Sequence, residues 1–241
     1  AVADLGRAMR DTGAALAELH NRPADSGGPV ADWFADRPGV TRAFDAIREW
    51  AGHEGFQRRY GFDGEHLIRR FEELGAAMRR DPGAAALVHG DPHPGNFFHD
   101  PVTGRVTVID LEGMHSSMDA HGRPVGVAAL DVGVFERVMS AFAHNFDIAP
   151  LLPELQRQFF DGYQDAGGRP LPEHALTWSR ASGLALALHG TRRMLFGEVP
   201  HDASIIPENL ARRAHDQLAE IRRMLDGTDP AGPDGRPRSP G

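Results

Sequence analysis

One short window near the middle of the chain concentrates the side chains that can do chemistry. It reads LVHGDPHPGNFFHDPVTGRVTVIDLEGM, from Leu87 to Met114. Its histidine, carboxylate and amide groups include His89, Asp91, His93, Asn96, Asp110 and Glu112. Groups of these types can bind a metal ion, accept a proton or hold magnesium against phosphates. Two kinds of chemistry, metal-dependent hydrolysis and phosphoryl transfer, therefore have to be compared.

Metal-dependent hydrolysis would use the alternating residues His89, Asp91 and His93 as ligands. Alternate side chains share one face only along a regular strand. Pro92 and Pro94 interrupt this segment, since each lacks an amide donor and restricts the residue before it. The hydrolase is thus the weaker interpretation, and it predicts tightly bound zinc or manganese in the purified protein.

Phosphoryl transfer fits the order of the groups better. An aspartate, an asparagine five residues later and then an aspartate on a strand is the order of a kinase catalytic centre, and Asp91, Asn96 and Asp110 follow it. Such a centre needs a base for the attacking hydroxyl and hard oxygen ligands for magnesium. Asp91 can serve as the base, and Asn96 and Asp110 can supply the oxygens.

The elements around this window have two different periodicities. Before it, a helical pattern places Leu67 and Phe71 on one face, with Asp63 as the expected N-cap and Asp81-Pro82-Gly83 as the expected stop. Within it, the segments FFH and RVTVID, joined by DPVTG, predict a β-hairpin, and residues 112–126 are predicted as a loop. The apolar segment 172–196 predicts a buried central helix. The expected fold class is α+β and mostly α-helical, with one small central hairpin whose flanking loops carry the polar groups.

The motif HGDPHPGN followed by VTVIDLE resembles the aminoglycoside phosphotransferase and choline kinase superfamily, which has a protein-kinase-like fold. DPHPGN is also similar to the loop of UbiB-type atypical kinases. IDLE is similar to the Asp-aromatic-Glu form of choline kinases, with Leu111 in place of the aromatic residue. The opening LGRAMRDTGAALAELH resembles the helix that follows the hinge. The resemblance covers most of residues 1–226, and residues 227–241 are expected to form a disordered Pro/Gly-rich tail.

The resemblance implies a role for each polar group of the window. Asp91 would be the catalytic base, and Asn96 and Asp110 would bind Mg²⁺, with ATP as the co-substrate. His89 would tie the loop to the backbone near Asp110. Glu112 would touch a second metal ion or the substrate, and a solvated loop carboxylate is the equal alternative.

Other residues have supporting or structural roles in the same interpretation. Asp131 would brace the catalytic loop from the start of a later helix, and an ordinary helix N-cap is the alternative. His20, His93 and His99 are expected to be packing or surface residues rather than ligands.

The superfamily fold also has a small N-terminal lobe, with a β-sheet, a phosphate-covering loop and a lysine that pairs the α/β-phosphates. All 26 basic residues of this chain are Arg, and the chain opens on the helix that should begin the large lobe. The prediction is therefore a C-terminal lobe over residues 1–226 with the N-terminal β-rich lobe absent, supplied by upstream sequence or by a second chain. A non-catalytic, pseudokinase-like binding or regulatory module is the alternative to a small-molecule kinase.

Composition limits the classes of molecule that the chain is expected to bind. The formal net charge of −8 argues against a nucleic-acid or anionic-membrane binder, and the lack of cysteine excludes thiolate chemistry. No segment is typical of a signal peptide or a bilayer span, which predicts a cytoplasmic protein.

The expected acceptor is a hydroxyl on a small molecule. The acidic residues that could favour a cationic acceptor are Asp119, Asp131, Glu136, Asp161, Asp165 and Glu198. Trp33 and Trp178 could line a pocket, although a core position is the stronger expectation.

Overall fold

The computed structural model describes residues 2–23, 38–81, 83, 85–110, 125–145, 148–200 and 207–227. These residues form eight α-helices and four short β-strands. The helices are α1 (Val2–His20), α2 (Pro38–Ala51), α3 (Glu54–Tyr60), α4 (Gly64–Arg80), α5 (Ala128–Asn145), α6 (Leu152–Asp165), α7 (Glu173–Leu195) and α8 (Pro207–Leu225). The strands are β1 (Ala85–Leu87), β2 (Phe97–His99), β3 (Val106–Val108) and β4 (Val125–Val127). The mostly helical α+β class is confirmed.

Helix α4 shows how local sequence sets the helix boundaries. The side chain of Asp63 caps it by accepting a hydrogen bond from His66 N at 3.0 Å. Leu67 and Phe71 lie buried on the face that the periodicity predicts. The helix ends at Arg80, before the expected Asp-Pro-Gly stop. The predicted cap, face and end are all confirmed.

The predicted hairpin is formed by β2 and β3. Their antiparallel register pairs Phe97 with Val108 and Phe98 with Thr107. Asp100 orders the turn, because its carboxylate accepts hydrogen bonds from Val102 N at 2.9 Å and from the Thr103 hydroxyl at 2.7 Å. The hairpin thus brings the two halves of the chemical window close together in space.

A second two-stranded sheet, β1 with β4, is an addition to the predicted fold. Leu87 pairs with Val125, and Ala85 pairs with Val127. Strand β4 begins inside the segment 112–126, which the sequence predicts as a loop. Each strand has three residues, and their pairing joins distant parts of the chain, so no local alternation indicates them.

The core is built around helix α7, which packs against α2, α4, α5 and α8. This confirms the predicted buried central helix, and its Trp178 side chain lies in the core against Phe44 and Phe71. Trp33 lies outside the described residues.

Helices α1 and α6 form the most extensive contact between two described elements. They approach closely because Gly13 and Gly162 face the partner backbone. A Cβ atom at Gly162 would lie 1.9 Å from Arg10 O, and one at Gly13 would lie 2.0 Å from Phe159 O. Within the described residues, no helix is long and apolar enough to cross a bilayer.

Candidate functional site

The loop between β1 and β2 carries the first two predicted site residues. It passes through extended backbone at His93 and enters a 3-10 turn over Pro94–Asn96. The Asn96 side chain is buried, and its Nδ2 donates to Asp91 O at 3.1 Å. This bond brings Asn96 beside Asp91. It leaves Asn96 Oδ1 without a donor among the described residues.

Asp91 is held by its backbone while its carboxylate is exposed. Its carbonyl oxygen accepts hydrogen bonds from His93 N at 2.9 Å and from the Asn96 amide. The carboxylate has no hydrogen bond or ion pair with the described residues. A group fixed by its backbone but open at its carboxylate can accept a hydrogen bond from an incoming hydroxyl.

Asp110 follows β3 and lies near Asn96. Ile109 N donates to Asn96 O at 3.0 Å, which extends the hairpin ladder to the two predicted metal ligands. Asp110 has a φ of 56°, a left-handed conformation that is uncommon outside glycine. Such conformations are concentrated at functional sites, where the surrounding structure imposes them. Its carboxylate is exposed and has no partner among the described residues.

His89 connects the loop to the far end of the hairpin. The imidazole is fully buried, and its Nε2 lies 2.9 Å from Ile109 O. This contact joins the residue two positions before Asp91 to the residue immediately before Asp110. His89 therefore holds the two ends of the window together rather than facing a ligand.

Asp131 anchors the same loop from helix α5. Its buried carboxylate accepts hydrogen bonds from His89 N at 2.6 Å and from Gly90 N at 2.9 Å. The third partner is His20 Nε2 at 3.1 Å. Helix α5 begins at Ala128, so Asp131 lies inside its first turn and the N-cap alternative is wrong.

The comparison with known families now adds to this geometry. The model of the phosphotransferase enzyme family, APH, matches residues 1–118. The match confirms the resemblance to the aminoglycoside phosphotransferase and choline kinase superfamily. No curated protein matches the chain.

The phosphotransferase-family match contains Asp91, Asn96 and Asp110, whereas the loop anchor Asp131 follows it along the chain. Glu112 is inside the match but outside the described residues. Among the described residues, no group of three or more histidine or carboxylate side chains is arranged to hold a metal ion.

The histidines of the window have structural partners. His93 Nδ1 accepts a hydrogen bond from Gly95 N at 3.1 Å, inside the 3-10 turn. His99 Nε2 lies 2.8 Å from the Asp11 carboxylate, which ties the hairpin to helix α1. The first contact orders the loop between β1 and β2, and the second orders the hairpin.

Sequence reasoning missed the role of His20, which it assigned to packing at the end of α1. The imidazole is fully buried between Asp131 and Tyr163, whose hydroxyl lies 2.9 Å from His20 Nδ1. A neutral His20 with its proton on Nε2 satisfies both contacts. Burial, reinforced by the Asp131 carboxylate, raises the pKa of the Tyr163 phenol well above its usual range. No local pattern could have indicated a contact between such distant residues.

Proposed function

We propose that this chain is the large lobe of an ATP- and Mg²⁺-dependent phosphotransferase that acts on a hydroxyl of a small molecule. The observation that best supports this is the joining of Asp91, Asn96 and Asp110 into one loop-and-hairpin unit with open side-chain oxygens. The match of residues 1–118 to the model of a phosphotransferase family supports the same reaction class.

In the proposed reaction, Asp91 accepts a hydrogen bond from the acceptor hydroxyl and directs its oxygen toward the γ-phosphorus of ATP. The Asn96 and Asp110 side chains would hold Mg²⁺, since both offer hard oxygen atoms without a competing donor among the described residues. Bound magnesium supplies positive charge against the phosphate oxygens. His89 and Asp131 keep the base and the metal ligands in register by holding the loop backbone.

The exposed face of the hairpin offers an apolar surface for a nucleotide base beside Asn96 and Asp110. Phe98 is 60% exposed and Ile109 is 40% exposed, and Ile109 directly precedes Asp110. An exposed apolar surface beside the metal ligands is suited to the flat face of a nucleotide base.

A non-catalytic binding module is the second candidate. It is favoured by one observation, namely that all 26 basic residues are arginine. The lysine that the family uses on the α/β-phosphates would have to come from sequence or a chain outside these residues. Without it, nucleotide could bind while the phosphates stay poorly positioned.

The test compares wild type with Asp91→Asn in the complete protein, measuring ATP consumption over a panel of amine, sugar and acidic alcohols. Loss of the positioned base should lower the rate by about 10²–10⁴-fold. Asp165→Asn is the matched control, because that carboxylate is exposed at the end of α6 and should leave the rate unchanged. Equal rates for wild type and Asp91→Asn would contradict the assignment. Nucleotide binding without ATP consumption by wild type would favour the module.

A further inference from the structure

Arg137, on helix α5, is a half-buried arginine without a counter-ion among the described residues. Its Nε is buried and has no hydrogen-bond partner. Its guanidinium group makes no ion pair within 4.0 Å and no hydrogen bond with the described residues. An unpaired charge in a partly buried position costs free energy unless a ligand satisfies it.

Other arginines in comparable positions are paired. Arg180 forms a two-pronged contact with Glu136 at 2.7 and 2.8 Å. The buried Arg192 also has an Nε without a partner, but its two terminal nitrogens contact Glu49 at 2.7 Å and Glu198. Both of these guanidinium groups therefore have a carboxylate partner, which Arg137 lacks among the described residues.

Gly183 of helix α7 fixes the path of the Arg137 side chain. A Cβ atom at this glycine would lie 2.3 Å from Arg137 Cδ and 2.4 Å from its Nε. The aliphatic stem thus crosses α7 where no side chain blocks it. This packing limits the positions available to the guanidinium group.

Asp91 is the charged residue that acts on this guanidinium. Burial lowers the pKa of Arg137, and the Asp91 carboxylate opposes that change by attracting the positive charge. The two groups nevertheless form no ion pair. Helix α5 also contacts the 3-10 turn Pro94–Asn96, so the helix that carries Arg137 lies beside the Asp91 loop.

We propose that Arg137 is a specificity-determining residue that binds an anionic group, a carboxylate or a phosphate, on the acceptor whose hydroxyl Asp91 orients. This inference rests on the proposed function. Arg137 belongs to α5 and packs on α7, whereas Asn96 and Asp110 flank the hairpin. The proposed anion-binding group and the proposed metal ligands are therefore carried by different elements. Arginine suits this role because its planar fork matches carboxylate and phosphate oxygens.

The charge distribution agrees with an acidic acceptor. The described acidic residues that the sequence suggested for a cationic acceptor all have partners. Glu136 contacts Arg180, Asp161 contacts Arg157 at 2.6 Å, and Asp165 contacts Arg10. Asp131 and Glu198 are paired as described above, and Asp119 lies outside the described residues. Among the described residues, these carboxylates are therefore engaged while Arg137 has no carboxylate partner, which favours hydroxy acids or phosphorylated alcohols over amino alcohols as acceptors.

Three matched probes test this preference without ATP or turnover. Glycerate, glycerol and serinol share a hydroxylated three-carbon skeleton and carry negative, zero and positive charge. Nuclear magnetic resonance titration of the full chain should show glycerate binding at least about tenfold more tightly than the other two. Arg137→Gln should remove this preference, and inorganic phosphate should compete with glycerate. Arg105→Gln, at an exposed position on the hairpin, is the control and should retain it.

If Arg137→Gln loses native circular dichroism, Gly183→Ala tests the same side chain, since the added Cβ displaces the Arg137 stem. The inference is wrong if serinol or glycerol binds wild type as tightly as glycerate, if both variants keep the preference, or if wild type shows no saturable glycerate binding. The failure of the proposed function is separate: it would appear as unchanged ATP turnover in Asp91→Asn, whatever the outcome of the titration.

Discussion

Asp131 satisfies two consecutive backbone amides of the candidate loop and one buried histidine. Asp131 shows why the contacts of individual site residues can be predicted only in part from the sequence. Asp91, Asn96 and Asp110 are recognisable because they lie close together in a characteristic order. The bonds from Asp131 to His89 N and His20 Nε2 join distant segments, and only the tertiary structure can reveal them.

Replacing Asp131 should therefore destabilise the protein as well as the site. Asp131→Ala leaves the buried His89 N–H and the partly buried Gly90 N–H without acceptors, and we expect a loss of about 3 kcal/mol or more in the free energy of unfolding. Asp165→Ala, which removes an exposed carboxylate, should change it by less than about 0.5 kcal/mol. Urea denaturation followed by circular dichroism measures both variants. A loss below about 1 kcal/mol for Asp131→Ala would mean that the loop does not depend on this anchor.

At the scale of elements, hydrophobic periodicity predicts helix α4, the central helix α7 and the β2–β3 hairpin. It does not predict how closely two helices approach. Helices α1 and α6 meet backbone to backbone at Gly13 and Gly162, and these glycines carry no local sign of that contact. The same reasoning explains the missed β1–β4 pairing, since short strands that pair over a long separation have no local signature.

Two glycine-to-alanine substitutions should have opposite effects. Gly162→Ala places a Cβ 1.9 Å from Arg10 O, so the helices must separate, and we expect a loss of about 1–3 kcal/mol or more. Gly190→Ala, in α7, meets nothing within 4 Å and should increase stability by about 0.5–1 kcal/mol, because alanine favours the helix. Thermal and urea unfolding compare the pair. Equal stability of the two variants would rule out the close helix contact.

At the scale of the whole molecule, the candidate site draws on more of the chain than the family match contains. Helix α1 packs mainly on α6, and Asp131 anchors the candidate loop. Helix α6 and Asp131 both lie beyond residue 118. The matched segment carries the proposed chemical groups, and the later helices hold those groups in place. This division of roles between the matched segment and the later helices could not be predicted from the motif, because the motif does not indicate which distant helix packs on α1.

A fragment of residues 1–118 should therefore fail to form the site. Without α6 and α7, the buried faces of α1 and α4 become exposed, and the loop loses its carboxylate anchor. We expect a poorly dispersed amide spectrum and no cooperative thermal transition, whereas the full chain should give both dispersion and cooperativity. A fragment with native-like dispersion would show that the family segment is an independent domain.

The β1–β4 pairing has a consequence for how the segment between these strands could vary. It fixes two points of the chain, at Ala85–Leu87 and Val125–Val127, on either side of the whole chemical window. Asp131 lies just beyond the second point and adds a further tie. The exposed hairpin turn, residues 100–104, can therefore change in composition while this paired base stays in place. Natural variation or laboratory grafting at the turn would then act on the surface of the segment without altering the strand pairing that closes it.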